Sequence, residues 1–223
     1  MHITKAVLFD LDGTLLNTLD DLTAGVNYAL TRHGFPPRTS REVRSYLGNG
    51  PARLLGCACP DGTPPETVAA VLETYLPYYA AHSADTTCPY PGVTALLERL
   101  SAAGVAVGVV SNKQEVDTVA LCRRFFGGRI AVALGDVPGR PRKPAPDGVL
   151  QALERLRVSP ENAWYVGDSE VDVATARAAG LRCVAVTWGF RDAPELLAAG
   201  ADVLADTPEQ IAEYILNERG EAQ

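Results

Sequence analysis

The sequence predicts an α/β protein in which a doubly wound parallel sheet carries an inserted all-helical domain. Over most of the chain, short and continuously apolar segments alternate with amphipathic segments of helical length. This alternation is typical of parallel strands that helices cover on both faces. One interval, 15–86, breaks the alternation, because it contains helical patterns separated by turns rich in proline and glycine. These two observations together predict a sheet domain with a helical insertion.

Each predicted strand is a run of four to six mainly apolar residues in which Val, Ala, Ile and aromatic residues are common. Parallel strands connected through helices form right-handed crossovers, which give a Rossmann-like core. The predicted strands are 6–9, 105–110, 130–134, 163–166, 183–186 and a weaker 202–205.

The helices between these strands have recognisable start and stop signals. Pro208 follows Thr207 at one predicted start, and Gly104, Gly180 and Gly200 lie where helices should end. The predicted helices of the sheet domain are 93–103, 114–126, 146–156, 170–179, 193–199 and 207–217.

The helical insertion should contain four helices and form a cap beside the sheet. The chain returns from it near the segment TTCPYPG (86–92), which is rich in turn-forming residues. We therefore expect a core domain of residues 1–14 and 87–223 and a cap domain of residues 15–86. The predicted cap helices are 18–33, 39–47, 51–58 and 65–82.

Composition limits the partners that the protein can have. The chain of 223 residues has 47% hydrophobic residues, a net charge of −7 and no basic stripe, which argues against nucleic acids and anionic membranes as partners. No apolar run approaches the length that spans a bilayer, so we expect a cytoplasmic protein. Its five cysteines lack a framework spacing and are expected to be reduced. The sequence does not distinguish a monomer from a homodimer.

Polar side chains follow the predicted strands at the edge where an open α/β sheet binds its ligands. Asp10 and Asp12 follow the first strand, and the loop 135–148 places Lys143 before a proline. The other strand-end residues are Ser111, Asn112 and Lys113 after the second strand, and Asp168 and Asp172 after the fourth.

These residue types suit phosphoryl transfer. A carboxylate that attacks a phosphate needs a divalent cation to offset the repulsion, and Mg²⁺ prefers a few hard oxygen ligands. Asp10 and Asp168, with the carbonyl of Asp12, would supply such ligands. Asp172 lies one helical turn after Asp168 and would either hold a water on the metal or orient Lys143.

The remaining roles follow from the same chemistry. Asp10 would be the nucleophile that forms an aspartyl-phosphate, and Asp12 would be the general acid and base. The Ser111 hydroxyl and the backbone N–H of Asn112, expected at a helix start, would bind phosphoryl oxygens. Lys143 would neutralise charge in the transition state.

Four segments together resemble the motifs of the haloacid dehalogenase-like hydrolase superfamily: FDLDGT (9–14), VSNK (110–113), RKPAPD (142–147) and GDSEVD (167–172). The resemblance covers nearly the whole chain, and the helical insertion is similar to one of the superfamily's cap types. It implies the nucleophile at Asp10, the acid/base at Asp12, the phosphate ligands at Ser111 and Lys143 and a metal ligand at Asp168. The second aspartate of the first motif is typical of phosphatases rather than dehalogenases.

LGNG (47–50), PYPGV (89–93) and VTWGF (186–190) further resemble the phosphoglycolate phosphatases, although Asn17 stands where many relatives have aspartate. The resemblance implies a small phosphorylated metabolite such as 2-phosphoglycolate as substrate. Gly48, Asn49 and Arg53 in the cap are the candidate substrate contacts, and Arg53 could pair with a carboxylate.

Three further functions remain open on this fold. A phosphomutase is less favoured because the cap contains His33 and His82 but no lysine between 15 and 86. A pyrophosphatase shares similar motifs. A non-catalytic phosphometabolite-binding protein is the least favoured, since such a protein should tolerate the loss of catalytic groups and every expected one is present.

Overall fold

The structure is a computed structural model that describes residues 5–217. The chain forms two compact units: Met1–Leu16 with Pro89–Gln223, and Asn17–Cys88. The boundaries expected from the sequence lie two residues earlier at both crossings. Within residues 5–217, every helix is too short or too polar to cross a membrane.

The first unit contains a six-stranded parallel sheet with the strand order β5-β4-β1-β6-β7-β8. Phe9, the last residue of the first strand, aligns with Val109 on one neighbour and Val166 on the other. This register brings the carboxyl ends of the three central strands to one edge. The strands are β1 Ala6–Phe9, β2 Leu16–Asn17, β3 Cys88–Pro89, β4 Ala106–Gln114, β5 Val132–Asp136, β6 Ala163–Gly167, β7 Arg182–Val186 and β8 Val203–Ala205, of which β2 and β3 form a separate pair.

Helices pack against the sheet in the first unit and form the second unit. The sheet and its helices enclose a core in which Leu8, Tyr165 and Val149 are fully buried. The helices are α1 Leu19–Arg32, α2 Ser40–Tyr46, α3 Pro51–Ala58, α4 Pro65–His82, α5 Val93–Ala102, α6 Glu115–Phe126, α7 Asp147–Leu156, α8 Glu170–Ala179, α9 Ala193–Ala199 and α10 Pro208–Asn217, with 3₁₀ turns at Gly127–Arg129 and Pro160–Asn162.

The α/β fold with its helical cap is confirmed, but the predicted end of the second strand was wrong, and β5 lies two residues later than the predicted 130–134. The sequence predicted that the second strand ends at Val110, whereas β4 continues through Gln114. Gln114 still pairs with Asp136 of β5 beyond an irregularity in the register. Asn112 therefore lies inside a strand, and helix α6 begins only at Glu115. The expectation that the Asn112 N–H lies at a helix start is wrong, because the strand continues through these polar residues and pairs with β5 again at Gln114.

In the helical unit, the buried carboxylate of Asp21 on α1 binds the returning chain. It accepts hydrogen bonds from the backbone N–H groups of Thr86 and Thr87 and from both hydroxyl groups, at 2.5–3.1 Å. Burial opposes the carboxylate charge, but these hydrogen bonds outweigh burial and lower the pKa of Asp21. Asp21 thus joins the first helix of the unit to its last segment.

We expect Asp21→Ala to destabilise the protein by about 2–4 kcal/mol, because four donors lose a charged acceptor. Urea unfolding monitored by circular dichroism measures this loss. Asp20→Ala, on the same turn but exposed, is the matched control and should change stability by less than about 0.5 kcal/mol. Equal stability of the two variants would contradict this role for Asp21.

Candidate active site

The first strand ends in a loop that turns its two aspartates in different directions. The N–H of Asp10 donates to the carbonyl of Val166 (2.9 Å), which continues the sheet pairing one residue past the strand. Gly13 follows with a φ of +84°, a conformation that favours glycine. Asp10 is buried, and its carboxylate lies among charged groups from two other parts of the unit.

The ammonium group of Lys143 is surrounded by three oxygens. Its Nζ lies 2.9 Å from Asp10 Oδ1 and donates to Asp172 Oδ1 (2.7 Å) and to the hydroxyl of Tyr165 (3.0 Å). Burial disfavours the ammonium ion, but Asp10 and Asp172 outweigh burial and raise the pKa of Lys143 well above its ordinary value. Lys143 therefore remains charged beside Asp10.

Both oxygens of Asp172 are already engaged by neighbouring groups. Oδ1 accepts from Lys143, and Oδ2 accepts from the N–H groups of Asp168 (3.2 Å) and Ser169 (3.1 Å) and from the Ser169 hydroxyl (2.6 Å). These contacts favour the second of the two roles expected for Asp172, which is to orient Lys143.

Asp168 is held by the first loop and by the loop after β7. The hydroxyl of Thr14 donates to Oδ1 (3.1 Å), and the N–H of Phe190 donates to Oδ2 (2.7 Å). The backbone at Gly189 approaches so closely that a Cβ there would lie 2.3 Å from the Cβ of Asp168. The carboxylate of Asp168 therefore has little rotational freedom.

Asp10, Asp168 and Asp172 are all buried, and each offers an oxygen within 4.8 Å of the others. Burial raises the pKa of Asp10 to about 6, although Lys143 acts in the opposite direction. Burial and the charges of Asp172 and Asp10 also raise the pKa of Asp168 well above its ordinary value. Three carboxylates against one ammonium ion leave an excess of negative charge, which a divalent cation would offset. The hard oxygen donors fit such a cation.

On β4, Asn112 fixes the loop that carries Lys143. Its side-chain amide donates to the carbonyl of Lys143 (3.0 Å), and its side-chain oxygen accepts from the N–H of Lys143 (2.9 Å). Ser111 is buried, and its Oγ accepts from the N–H of Lys113 (3.3 Å). The hydroxyl hydrogen of Ser111 can thus turn towards a ligand.

The carboxylate of Asp12 faces Lys113. Lys113 Nζ donates to Asp12 Oδ2 at 2.8 Å, and the two side chains are 5% and 19% exposed. The second oxygen, Oδ1, is buried and accepts no hydrogen bond from any residue in 5–217. Asp117 on α6 is also buried nearby; burial raises the pKa of Asp117, and the charge of Lys113 opposes this.

The structure brings together six of the residues selected from the sequence, with Ser111 directly before one of them on β4, and places the three selected cap residues in the helical unit. Gly48 and Asn49 lie between α2 and α3, and Arg53 is in the first turn of α3, all within the helical unit. Their assignment as substrate contacts stays a prediction. The residues brought together are Asp10, Asp12, Lys143, Asp168, Asp172 and, through its clamp on the Lys143 backbone, Asn112.

Sequence reasoning missed several residues that shape this site. Tyr165 was treated only as part of an apolar strand, yet its hydroxyl contacts Lys143 and donates to the carbonyl of Val110 (3.0 Å). A buried tyrosine hydroxyl generally requires a partner, which was the one available signal. Thr14 was visible only as the last letter of FDLDGT, and Lys113 was noted at the end of a strand without being given a role.

The sequence model of the haloacid dehalogenase-like hydrolase family matches residues 7–186 of this chain. A phosphoglycolate phosphatase from Xanthomonas campestris pv. campestris is 37% identical over 217 residues, covering 96% of this chain and 97% of the relative. An N-acetylmuramic acid 6-phosphate phosphatase from Pseudomonas aeruginosa is 30% identical over 213 residues, covering 95% of this chain and 94% of that relative.

Solved structures agree with the sequence comparisons. A crystal structure from Lactobacillus delbrueckii subsp. bulgaricus, with a provisional phosphoglycolate phosphatase name, superposes with a TM-score of 0.90. It is 35% identical, and the match covers 96% of this chain and 99% of that one. The chain belongs to the haloacid dehalogenase-like hydrolase family, and it is a phosphatase.

Proposed function

We propose that the protein is a Mg²⁺-dependent phosphatase that hydrolyses 2-phosphoglycolate. The main support for the reaction is the buried group formed by Asp10, Lys143, Asp168 and Asp172, which combines a nucleophile, a fixed cation and oxygen ligands for a metal ion. The support for the substrate is the identity of 37% to a phosphoglycolate phosphatase over nearly the whole chain.

Asp10 attacks the phosphorus atom in this proposal and forms an aspartyl-phosphate. Lys143 holds the attacking carboxylate, with Nζ 2.9 Å from Oδ1, and places positive charge beside the phosphoryl oxygens as negative charge builds on them. Asp172 and Tyr165 prevent Lys143 from turning away. The ammonium group is thus oriented before the substrate binds.

Asp12 donates a proton to the leaving oxygen and then removes one from the water that hydrolyses the aspartyl-phosphate. Of the two Asp12 oxygens, Oδ2 is bound by Lys113, whereas Oδ1 accepts no hydrogen bond from residues 5–217, which supports the use of Oδ1 for this purpose. The Ser111 hydroxyl binds a phosphoryl oxygen, while the Asn112 side chain keeps the Lys143 loop in place.

Asp10, Asp168 and the carbonyl of Asp12 would hold Mg²⁺, which supplies positive charge that reduces the repulsion between the nucleophile and the phosphate. Thr14 and the Phe190 N–H keep the Asp168 carboxylate aimed at this position. Asp172 acts through Lys143 and the Ser169 backbone. Gly48, Asn49 and Arg53 remain candidate substrate contacts in the helical unit.

A second candidate substrate is N-acetylmuramic acid 6-phosphate, because a phosphatase for that compound is 30% identical over most of the chain. Phosphomutase and pyrophosphatase activities are the competing reactions on this fold. A mutase would isomerise a sugar phosphate and release little inorganic phosphate, so product analysis separates these reactions.

We expect purified protein to release inorganic phosphate from 2-phosphoglycolate in the presence of Mg²⁺ and to lose at least about 100-fold in activity when the metal is chelated. The assay compares kcat/KM for 2-phosphoglycolate, N-acetylmuramic acid 6-phosphate, a hexose phosphate and pyrophosphate. A higher kcat/KM for any of the other three would overturn the assignment of the substrate. Phosphate release that is unaffected by chelation would overturn the role of the metal.

A further inference from the structure

One buried charge beside the site has no role in the reaction as described so far. Lys113 is the third of four consecutive polar residues at the end of β4, and its side chain is only 5% exposed. Lysine is rarely buried without a partner. Its ammonium group lies 2.8 Å from Asp12 Oδ2, so it is fixed next to the proposed acid/base.

The two oxygens of Asp12 have different surroundings. Oδ2 is bound by Lys113, whereas Oδ1 is buried and accepts no hydrogen bond from the part of the chain that the structure describes. If Oδ1 contacts the leaving oxygen, that oxygen and the ammonium group of Lys113 lie on the two oxygens of the same carboxyl group. Lys113 is therefore placed on the leaving-group side of the reaction.

The neighbouring contacts keep Lys113 on that side. The Ser111 hydroxyl oxygen accepts from the N–H of Lys113 at 3.3 Å, which holds the lysine beside a proposed phosphate ligand. Lys143 is used elsewhere, because its ammonium group binds Asp10, Asp172 and Tyr165. The two buried lysines thus face different parts of a substrate.

A substrate with a carboxylate on its leaving group would meet an unfavourable field here without Lys113. Asp10 and Asp168 already contribute negative charge, and like charges at short distance repel strongly at low dielectric. In 2-phosphoglycolate a single methylene carbon separates the ester oxygen from the carboxylate carbon. A cation that contacts Asp12 is therefore close enough to contact that carboxylate as well.

We propose that Lys113 binds the carboxylate of the leaving group and thereby selects phosphate esters of 2-hydroxycarboxylates. Its ammonium group bridges Asp12 Oδ2 and a substrate carboxylate oxygen while Asp12 Oδ1 contacts the ester oxygen. This inference rests on the proposed phosphatase function and assigns the carboxylate to the sheet unit. It differs from the expectation that Arg53 of the helical unit binds the carboxylate.

The test compares 2-phosphoglycolate with its carboxamide, 2-phosphoglycolamide, which has the same skeleton without the negative charge. The wild-type enzyme should prefer the carboxylate by at least about 30-fold in kcat/KM, the size expected of one charge-assisted hydrogen bond. Lys113→Met should reduce that preference to within about threefold, whereas Lys113→Arg, which retains the charge, should keep most of it.

Arg142→Met is the matched control. Arg142 is another cation near the same edge, but it is 42% exposed on its side chain and pairs with Asp136. This variant should keep the wild-type preference. If it loses the preference as Lys113→Met does, the general positive field rather than Lys113 selects the carboxylate, and the inference is overturned.

The other outcomes are equally decisive. If Lys113→Met slows both substrates by the same factor, Lys113 acts only through Asp12, and the inference is wrong. If Lys113→Met does not fold, the test depends on the wild-type ratio of kcat/KM for 2-phosphoglycolate over 2-phosphoglycolamide. A ratio below about threefold overturns the inference. A wild-type enzyme that hydrolyses both substrates equally contradicts the inference but leaves the phosphatase function intact. A wild-type enzyme that hydrolyses neither contradicts both.

Discussion

Asp10→Asn should lower kcat for phosphate release by at least about 10⁴-fold, because the amide cannot serve as the nucleophile that forms an acyl-phosphate. The substitution keeps the size of the side chain and an oxygen that can accept from Lys143, which lies 2.9 Å from Oδ1. Substrate binding should therefore persist. Stopped-assay phosphate release measures the effect on kcat, and isothermal titration calorimetry measures substrate binding.

Asp136→Asn is the matched control for this variant. Asp136 ends β5, the strand next to β4, and its side chain is 14% exposed in an ion pair with Arg142. Its replacement should change kcat by less than about threefold, since it contacts no proposed reacting group. Residual activity of Asp10→Asn within tenfold of wild type would rule out the aspartyl-phosphate route.

Most of the fold was predictable because the central strands are buried on both faces. The segments 6–9 and 163–166 are continuous apolar runs, and their observed bounds agree with the prediction within one residue. The end of β4 was not predictable, because Ser111, Asn112 and Lys113 are polar and resemble a loop. The hydrogen bonds of Asn112 to Lys143 and of Lys113 to Asp12 explain why a buried strand tolerates these two side chains.

Site residues that belong to short sequence motifs could be predicted. Contacts between residues that are far apart in the sequence could not. Asp10 and Asp168 could be selected because each follows a strand in a short, recognisable spacing. The pairing of Lys113 with Asp12 joins residues that are 101 positions apart. The Tyr165 hydroxyl reaches Lys143 from within the core. Such contacts depend on strand order and side-chain direction, which sequence spacing does not encode.

When no metal ion is bound, the buried carboxylates should lower the free energy of unfolding of the protein. Burial and neighbouring charges raise the pKa of Asp168 well above its ordinary value, so the ionised form disfavours the folded state. A group with a raised pKa stabilises the fold fully only below its unfolded pKa of about 4, and this contribution is lost as the pH rises through the folded pKa. The metal-free protein should therefore become less stable above pH 4 through this residue.

Asp168→Asn should remove the destabilising effect of this buried charge. The same substitution should strongly weaken metal binding. In chelator the variant should melt several degrees above wild type, and the gap should widen as the pH rises from about 5 to 7, because only wild type must keep a buried carboxylate at position 168. Asparagine suits the position, since its oxygen can accept from the Phe190 N–H while the Thr14 hydroxyl turns to accept from its amide.

Added Mg²⁺ should reverse the order of the two proteins. Wild type gains stability in proportion to the logarithm of metal concentration over Kd, whereas Asp168→Asn should bind at least about 100-fold more weakly and gain little. Differential scanning fluorimetry across pH and Mg²⁺ concentration measures both effects without reference to turnover. Asp136→Asn should respond to Mg²⁺ as wild type does. An equal rise in melting temperature for Asp168→Asn and wild type would show that Asp168 does not hold the metal, and the proposed ligand set would have to be abandoned.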